Sequence, residues 1–104
     1  MPLKPLTEEQ RAAAREKAKK ARVIRAEMKE AVKNKQITIS EVLQRAETDE
    51  AVARLKVTDL LTSLPGVGEV RTENILKDLN IAASRRLRGL GIHQRRALIN
   101  LLDR

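Results

Sequence analysis

The sequence predicts an all-α fold, a long basic N-terminal helix over residues 1–35 followed by a small helical domain over residues 36–104 that is punctuated by two glycine turns. Three observations predict it. Apolar residues recur at helical spacing, and no period-2 alternation of useful length occurs apart from Ile37 to Ile39. Thr and Asp stand before several of these runs, where a side-chain oxygen can bond the first amides of a helix. The segment Leu64-Pro65-Gly66-Val67-Gly68 is repeated 23 residues later as Leu87-Arg88-Gly89-Leu90-Gly91, and each copy opens a further amphipathic run.

The first helix is expected to start at Thr7, because Thr7-Glu8-Glu9-Gln10 fits a capping box, and to run to about Lys33. With Arg11 at zero and about 100° per residue, Arg15, Lys19, Arg22, Arg25, Lys29 and Lys33 fall in one sector between about −40° and +80°. Ala14, Ala21, Ile24, Met28, Ala31 and Val32 form an apolar sector, mostly alanine before residue 22 and bulkier after it. The second half is therefore expected to pack and the first half to project. Arg15, Lys19 and Arg22 are candidate phosphate contacts, since like charges at i,i+4 repel until an anion arrives. Pairs such as Glu16/Lys20 would balance the same charge on a merely solvated face.

Thr38-Ile39-Ser40-Glu41 is a second capping box leading into Glu41 to Ala46, and Thr48 or Asp49 can cap Glu50 to Leu55. Val42, Leu43, Val52 and Leu55 are expected to share a core. Thr58 to Ser63 is a short helix entering the first glycine turn, and the runs Glu69 to Leu79 and Ile92 to Leu102 follow the two turns. Ser84 is a candidate cap for the final region.

Each glycine turn reads as a backbone trap for a phosphate. Glycines let consecutive amides converge on one oxygen cluster, and the helix that follows aims its free first-turn N–H groups at the same spot. Pro65 fixes its own φ and removes a donor. The candidate binding residues at the first turn are Leu64, Pro65, Gly66, Val67, Gly68 and Arg71. At the second they are Gly89, Leu90 and Gly91 with Arg85, Arg86 and Arg88, whose guanidiniums suit bidentate phosphate contact or entry into a narrow minor groove.

Composition narrows the partner. The 104-residue chain has a net charge of +8 and a pI of about 10.5. Residues 1–35 carry eleven Lys/Arg against five Asp/Glu, residues 36–62 three against five, and residues 63–104 eight against four. Both ends look like contact surfaces for an extended polyanion, and the acidic middle like scaffold. With no Phe, Tyr or Trp, stacking of single-stranded bases is excluded as a recognition mode. Cysteine is absent and His93 is the sole histidine, so no disulfide, zinc site or cofactor is expected. His93 lacks an identifiable orienting partner for acid–base chemistry, and no pocket for a flipped base or other substrate is evident, so no enzyme is expected. The basic first helix lacks the aromatic anchors of a membrane-surface helix, and nothing resembles an export signal, so a cytoplasmic location follows.

The glycine turns resemble the helix-hairpin-helix motif of DNA-repair and replication proteins. Pro5-Leu6-Thr7, Leu64-Pro65-Gly66-Val67-Gly68-Glu69-Val70-Arg71 and Ser84-Arg85-Arg86-Leu87-Arg88-Gly89-Leu90-Gly91 together resemble the actinobacterial integration host factor family over essentially the whole chain. The resemblance implies a long helix joined to a helix-two-turns-helix domain. It implies a nucleoid-associated protein, without enzymatic activity, that binds double-stranded DNA with little sequence preference; a monomer is expected. Such a protein bends or bridges DNA, compacts the chromosome and assists phage integration. It further implies that Pro65, Gly66, Val67, Gly68 and Arg71 hold phosphates at one surface, and Arg85, Arg86 and Arg88 at another. Thr72 departs from the small alanine of a generic hairpin motif, and Arg88 from its proline. The alternative is an RNA-binding or ribosome-associated protein, because some small basic ribosomal proteins use the same two-turn domain.

Overall fold

The computed structural model describes residues 5–103; residues 1–4 and 104, at the two ends of the expected units, lie outside the described residues. The architecture is helical, with no strand among the described residues. Helix α1 spans Glu8–Lys33, α2 Ile39–Ala46, α3 Glu50–Ala53, α4 Val57–Ser63, α5 Glu69–Asp78 and α6 Ile92–Leu102, with a single 3₁₀ turn at Leu87–Gly89.

Local chemistry sets these boundaries. At the start of α1 the Thr7 hydroxyl accepts from the Gln10 amide at 3.1 Å while the Gln10 side chain accepts from the Thr7 amide at 2.9 Å. Thr38 and Glu41 repeat the arrangement at α2, which begins at Ile39 rather than Glu41. Of the two candidate caps for α3, the structure uses Asp49, whose carboxylate accepts from the Ala51 and Val52 amides. The cap expected of Ser84 is not formed: Ser84 lies in an exposed turn, and the 3₁₀ turn begins after Arg86 without a side-chain cap.

Helices α1 and α5 end alike. Lys35 and Asn80 both adopt φ 58°, and the next residue donates five positions back, Gln36 to the Ala31 carbonyl and Ile81 to the Leu76 carbonyl, each at 2.8 Å. This is the Schellman closure, which lets the chain reverse without orphaning the last carbonyls.

The core is aliphatic. Val42, Val52, Val57, Leu60, Leu61 and Leu98 are fully buried, and Met28, Val32, Leu43, Leu55, Ile75, Leu76, Leu87 and Leu90 join them. The second half of α1 packs on α3 and α4, α2 on α3 and α6, and α4 on α5. Residues 8–20 of α1 are exposed throughout, Ala14 included. Projection of that arm explains a Cα radius of gyration of 15.9 Å, above the roughly 13 Å expected for a compact chain of this length.

Two long-range ties hold the glycine turns in place. Asp103 closes the C-terminus onto the start of α2, its two carboxylate oxygens accepting from the Ile39 and Ser40 amides at 2.8 Å each. An isolated antiparallel bridge pairs Lys56 with Arg86: the Val57 amide donates to the Arg85 carbonyl at 3.0 Å and the Leu87 amide to the Leu55 carbonyl at 2.9 Å. The arginine-rich segment before the 3₁₀ turn is thereby fixed to the α3–α4 junction.

Candidate nucleic-acid interface

The first glycine turn is closed by the Val67 amide donating to the Leu64 carbonyl at 3.2 Å. Pro65 sits second and Gly66 third with φ +77°, the requirements of a type II turn. Only Gly66 needs a glycine's dihedral freedom. Gly68, at φ −93° and ψ −172°, has an ordinary extended conformation, so its value lies in the side chain it lacks. A Cβ built at either glycine meets nothing within 4 Å, and both positions are exposed. Space therefore stands open in front of the turn.

Unpaired donors cluster at this turn. Among the described residues, the amide N–H groups of Gly66, Gly68, Glu69, Val70 and Arg71 meet no protein acceptor, and α5 has no side-chain cap. Four of the five belong to the N-cap and first turn of α5, where the helix dipole adds partial positive charge. Arg71 is exposed on the same turn. Leu64 and Val67 are half-buried and pack against the core, which anchors the turn.

The second turn has the same closure, the Leu90 amide donating to the Leu87 carbonyl at 3.2 Å, but not the same free donors. The Gly89 amide donates to the Arg86 carbonyl at 2.9 Å and the Gly91 amide to the Gln94 side-chain oxygen at 2.9 Å. Neither glycine has a positive φ. The free amides here are those of Arg88 in the turn and of Ile92, His93 and Gln94 at the start of α6, and Leu90 is buried. Gly89 serves a side chain instead: a Cβ there would stand 2.9 Å from Arg85 Cδ, and the Arg85 guanidinium folds over the turn to donate to the Gly89 carbonyl at 3.1 Å.

Arg86 reaches the other way and donates to the Arg54 carbonyl at 2.6 Å. Arg85, Arg86 and Arg88 are all exposed, and two of the three are oriented by backbone carbonyls. A guanidinium has five donors, so one bond to a carbonyl leaves most of the fork available.

Packing also assembles cations that sequence spacing does not group. An open groove of about 1090 Å³ runs between α1 and the α3–α4 junction. Lys17, Lys20, Arg25, Arg54, Lys56, Arg86 and Arg88 line it, with Glu16, Asp49, Glu50 and Asp59 as the acidic members. Glu50 is engaged with Arg54 at 2.7 Å. On the α1 wheel Lys17 and Lys20 lie outside the predicted basic stripe, so only the position of α3 reveals that they line a groove. The alternation Arg54-Leu55-Lys56, a buried leucine between exposed cations, is the one local signal for the other wall.

Arg15, Lys19 and Arg22 are exposed and remain together on α1, but they face away from that groove. The ion pairs among the described residues are Arg11 with Glu8, Arg54 with Glu50 and Arg95 with Glu47; the Glu16/Lys20 pair that would balance a merely solvated face is not among them. His93 is exposed, no cluster among the described residues could hold a metal ion, and no helix among them is long and apolar enough to cross a membrane.

Thr72, at the position where a hairpin motif prefers alanine, faces inward. It is 3% exposed, and its hydroxyl has no hydrogen-bond partner.

A family model described as S13-like H2TH domain matches residues 32–101. The integration host factor of Mycolicibacterium smegmatis is 50% identical over 103 residues, which cover 99% of this chain and 98% of that protein. The integration host factor of Mycobacterium tuberculosis is 50% identical over 99 residues, covering 95% and 94% respectively. Among solved structures, sIHF bound to an 8-bp palindromic DNA aligns with a TM-score of 0.81 at 41% identity, over 84% of this chain and 98% of that one. Long capped helix, paired glycine turns and full-length similarity agree: the chain belongs to the integration host factor family and carries an S13-like H2TH domain.

Proposed function

We propose that this protein is a non-enzymatic, architectural binder of double-stranded DNA that grips the phosphate backbone at two basic surfaces and reads little sequence. The observation that carries this is the first glycine turn. Five amides without acceptors, a helix N-terminus and the exposed Arg71 lie together at a turn whose glycines leave open space where a Cβ would stand. Such a site suits one phosphate of a polymer better than a small molecule, because nothing encloses the rest of the ligand.

The second surface is the groove between α1 and the 3₁₀ turn, where Arg86 and Arg88 meet Arg25, Arg54 and Lys56. Arg85 flanks it. Guanidiniums held by backbone carbonyls lose less freedom on binding and suit a narrow minor groove. The 1–35 arm, exposed over residues 8–20, supplies Arg15, Lys19 and Arg22 for a neighbouring stretch of backbone. Two surfaces on one small body allow it to bend one duplex or bridge two, and so to compact DNA in the nucleoid and assist integration.

It acts as a monomer. Among the described residues the exposed large apolar side chains are Leu6, Val23, Val70 and Ile92, too few to supply the apolar core of an obligate dimer interface.

The test is duplex-DNA affinity across a salt series for the wild type and for Gly68→Ala. Log affinity is expected to fall linearly with log salt, by about 0.9 per phosphate neutralised. Gly68→Ala has no dihedral penalty and no internal clash, so melting is expected to be unchanged while affinity falls about tenfold. Unchanged affinity would make the first turn a structural bend and nothing more.

A further inference from the structure

Val70 is an apolar side chain where polar ones are expected. It is 73% exposed, more than Leu6, Val23 or Ile92, and it lies in the first turn of α5, two residues past Gly68. Its own amide is one of the five free donors. In a helix the Cα–Cβ bond tilts toward the N-terminus, so the isopropyl group is directed toward the end of α5 that the glycine turn opens. At that exposure it contributes little to packing.

We propose that Val70 is a specificity residue that selects deoxyribose over ribose next to the phosphate held by the first turn. The assignment rests on the phosphate site proposed above. A phosphate oxygen about 2.9 Å from the Val70 nitrogen lies roughly 5 Å or less from the Val70 methyl groups, because Cβ is only two bonds from that nitrogen. The sugar esterified to that phosphate through O3′ occupies the same space. Its C2′ is the next ring carbon. In DNA that carbon bears only hydrogens and packs on the methyls. In RNA it bears a hydroxyl, both donor and acceptor, which loses water against the isopropyl group and gains no partner from it. The chain contains no aromatic ring to read bases by stacking, so a sugar contact is the discrimination its chemistry permits at this site.

The test compares a DNA duplex with the same duplex carrying ribonucleotides at alternate positions, and the Val70→Ser variant separates a contact with the 2′-hydroxyl from any change of helix shape, which both proteins meet alike. Wild type, Val70→Ser and Gly68→Ala are titrated against both by fluorescence anisotropy. The wild type is expected to prefer the all-deoxy duplex by about tenfold, and Val70→Ser, which offers the hydroxyl a partner, to compress this to about twofold with its melting temperature unchanged. A wild type indifferent to the ribonucleotides, or a Val70→Ser variant that keeps the wild-type ratio, overturns the role of Val70. If Gly68→Ala still weakens binding in that case, the phosphate site stands without it. If Gly68→Ala binds the all-deoxy duplex as wild type does, the phosphate site falls and the assignment to Val70 falls with it.

Discussion

At the first glycine turn Gly66 takes φ +77° and five amides lack acceptors; at the second no glycine has a positive φ and the amides of Gly89, Leu90 and Gly91 are all bonded internally. The two turns nevertheless align residue by residue and close with the same 3.2 Å hydrogen bond. Two aligned positions account for the difference. Pro65 stands where the second copy has Arg88, and proline favours the turn that sends the next residue to positive φ. Arg71 stands where the second copy has Gln94. Glutamine carries an acceptor that reaches back to the Gly91 amide, whereas arginine carries donors only and leaves the Gly68 amide free. A repeat in sequence therefore reproduced the path of the chain and not the set of atoms left for a ligand.

The most drastic way to break this pairing is to remove the arginines of the second turn together. Arg85→Ala/Arg86→Ala/Arg88→Ala is expected to weaken duplex binding about 100-fold and to lower the salt slope by about 2 to 3, measured by anisotropy across a salt series. A loss of slope below about 1 would place the second surface elsewhere. At the first turn, Gly66→Val forces a β-branched residue to φ +77°. It is expected to cost about 1–2 kcal/mol of stability in urea denaturation and to weaken binding about tenfold at temperatures where the variant is folded.

Exchanging the aligned residues sharpens the contrast. Arg71→Gln supplies the first turn with the reach-back acceptor, so duplex affinity is expected to fall about fivefold, more than the loss of one exposed charge in the α1 arm, such as Lys19→Gln, produces. Equal losses in the two variants would show that the Gly68 amide does not matter. The smallest expected effect is at Thr72. Thr72→Val removes a buried hydroxyl without a partner at nearly constant volume, and is expected to raise stability by about 1 kcal/mol with DNA affinity unchanged.

How much could be read without coordinates depended on the range of the interaction. The capping boxes at Thr7/Gln10 and Thr38/Glu41 and the helix starts after both glycine turns involve residues within four positions of each other, so spacing suffices to find them. Gln94 was legible by the same rule, three residues after Gly91, and closes an amide that the glycine pattern had suggested was free. The Ser84 cap failed because the Arg85–Leu87 backbone is claimed by Val57 and Leu55, some thirty positions earlier in the chain.

Helix content, the solvent-projecting half of α1, the aliphatic core and the polyanion-seeking charge were written in residue types and their periodicity. Those properties follow from each residue's own propensity and its nearest neighbours. The groove cations Lys17, Lys20, Arg25, Arg54 and Lys56, the Asp103 clasp on α2 and the bridge between Lys56 and Arg86 came from packing. Each requires groups distant along the chain to be brought within a few ångströms, and the burial of the shared core around Leu60, Leu61 and Leu98 is what brings them there.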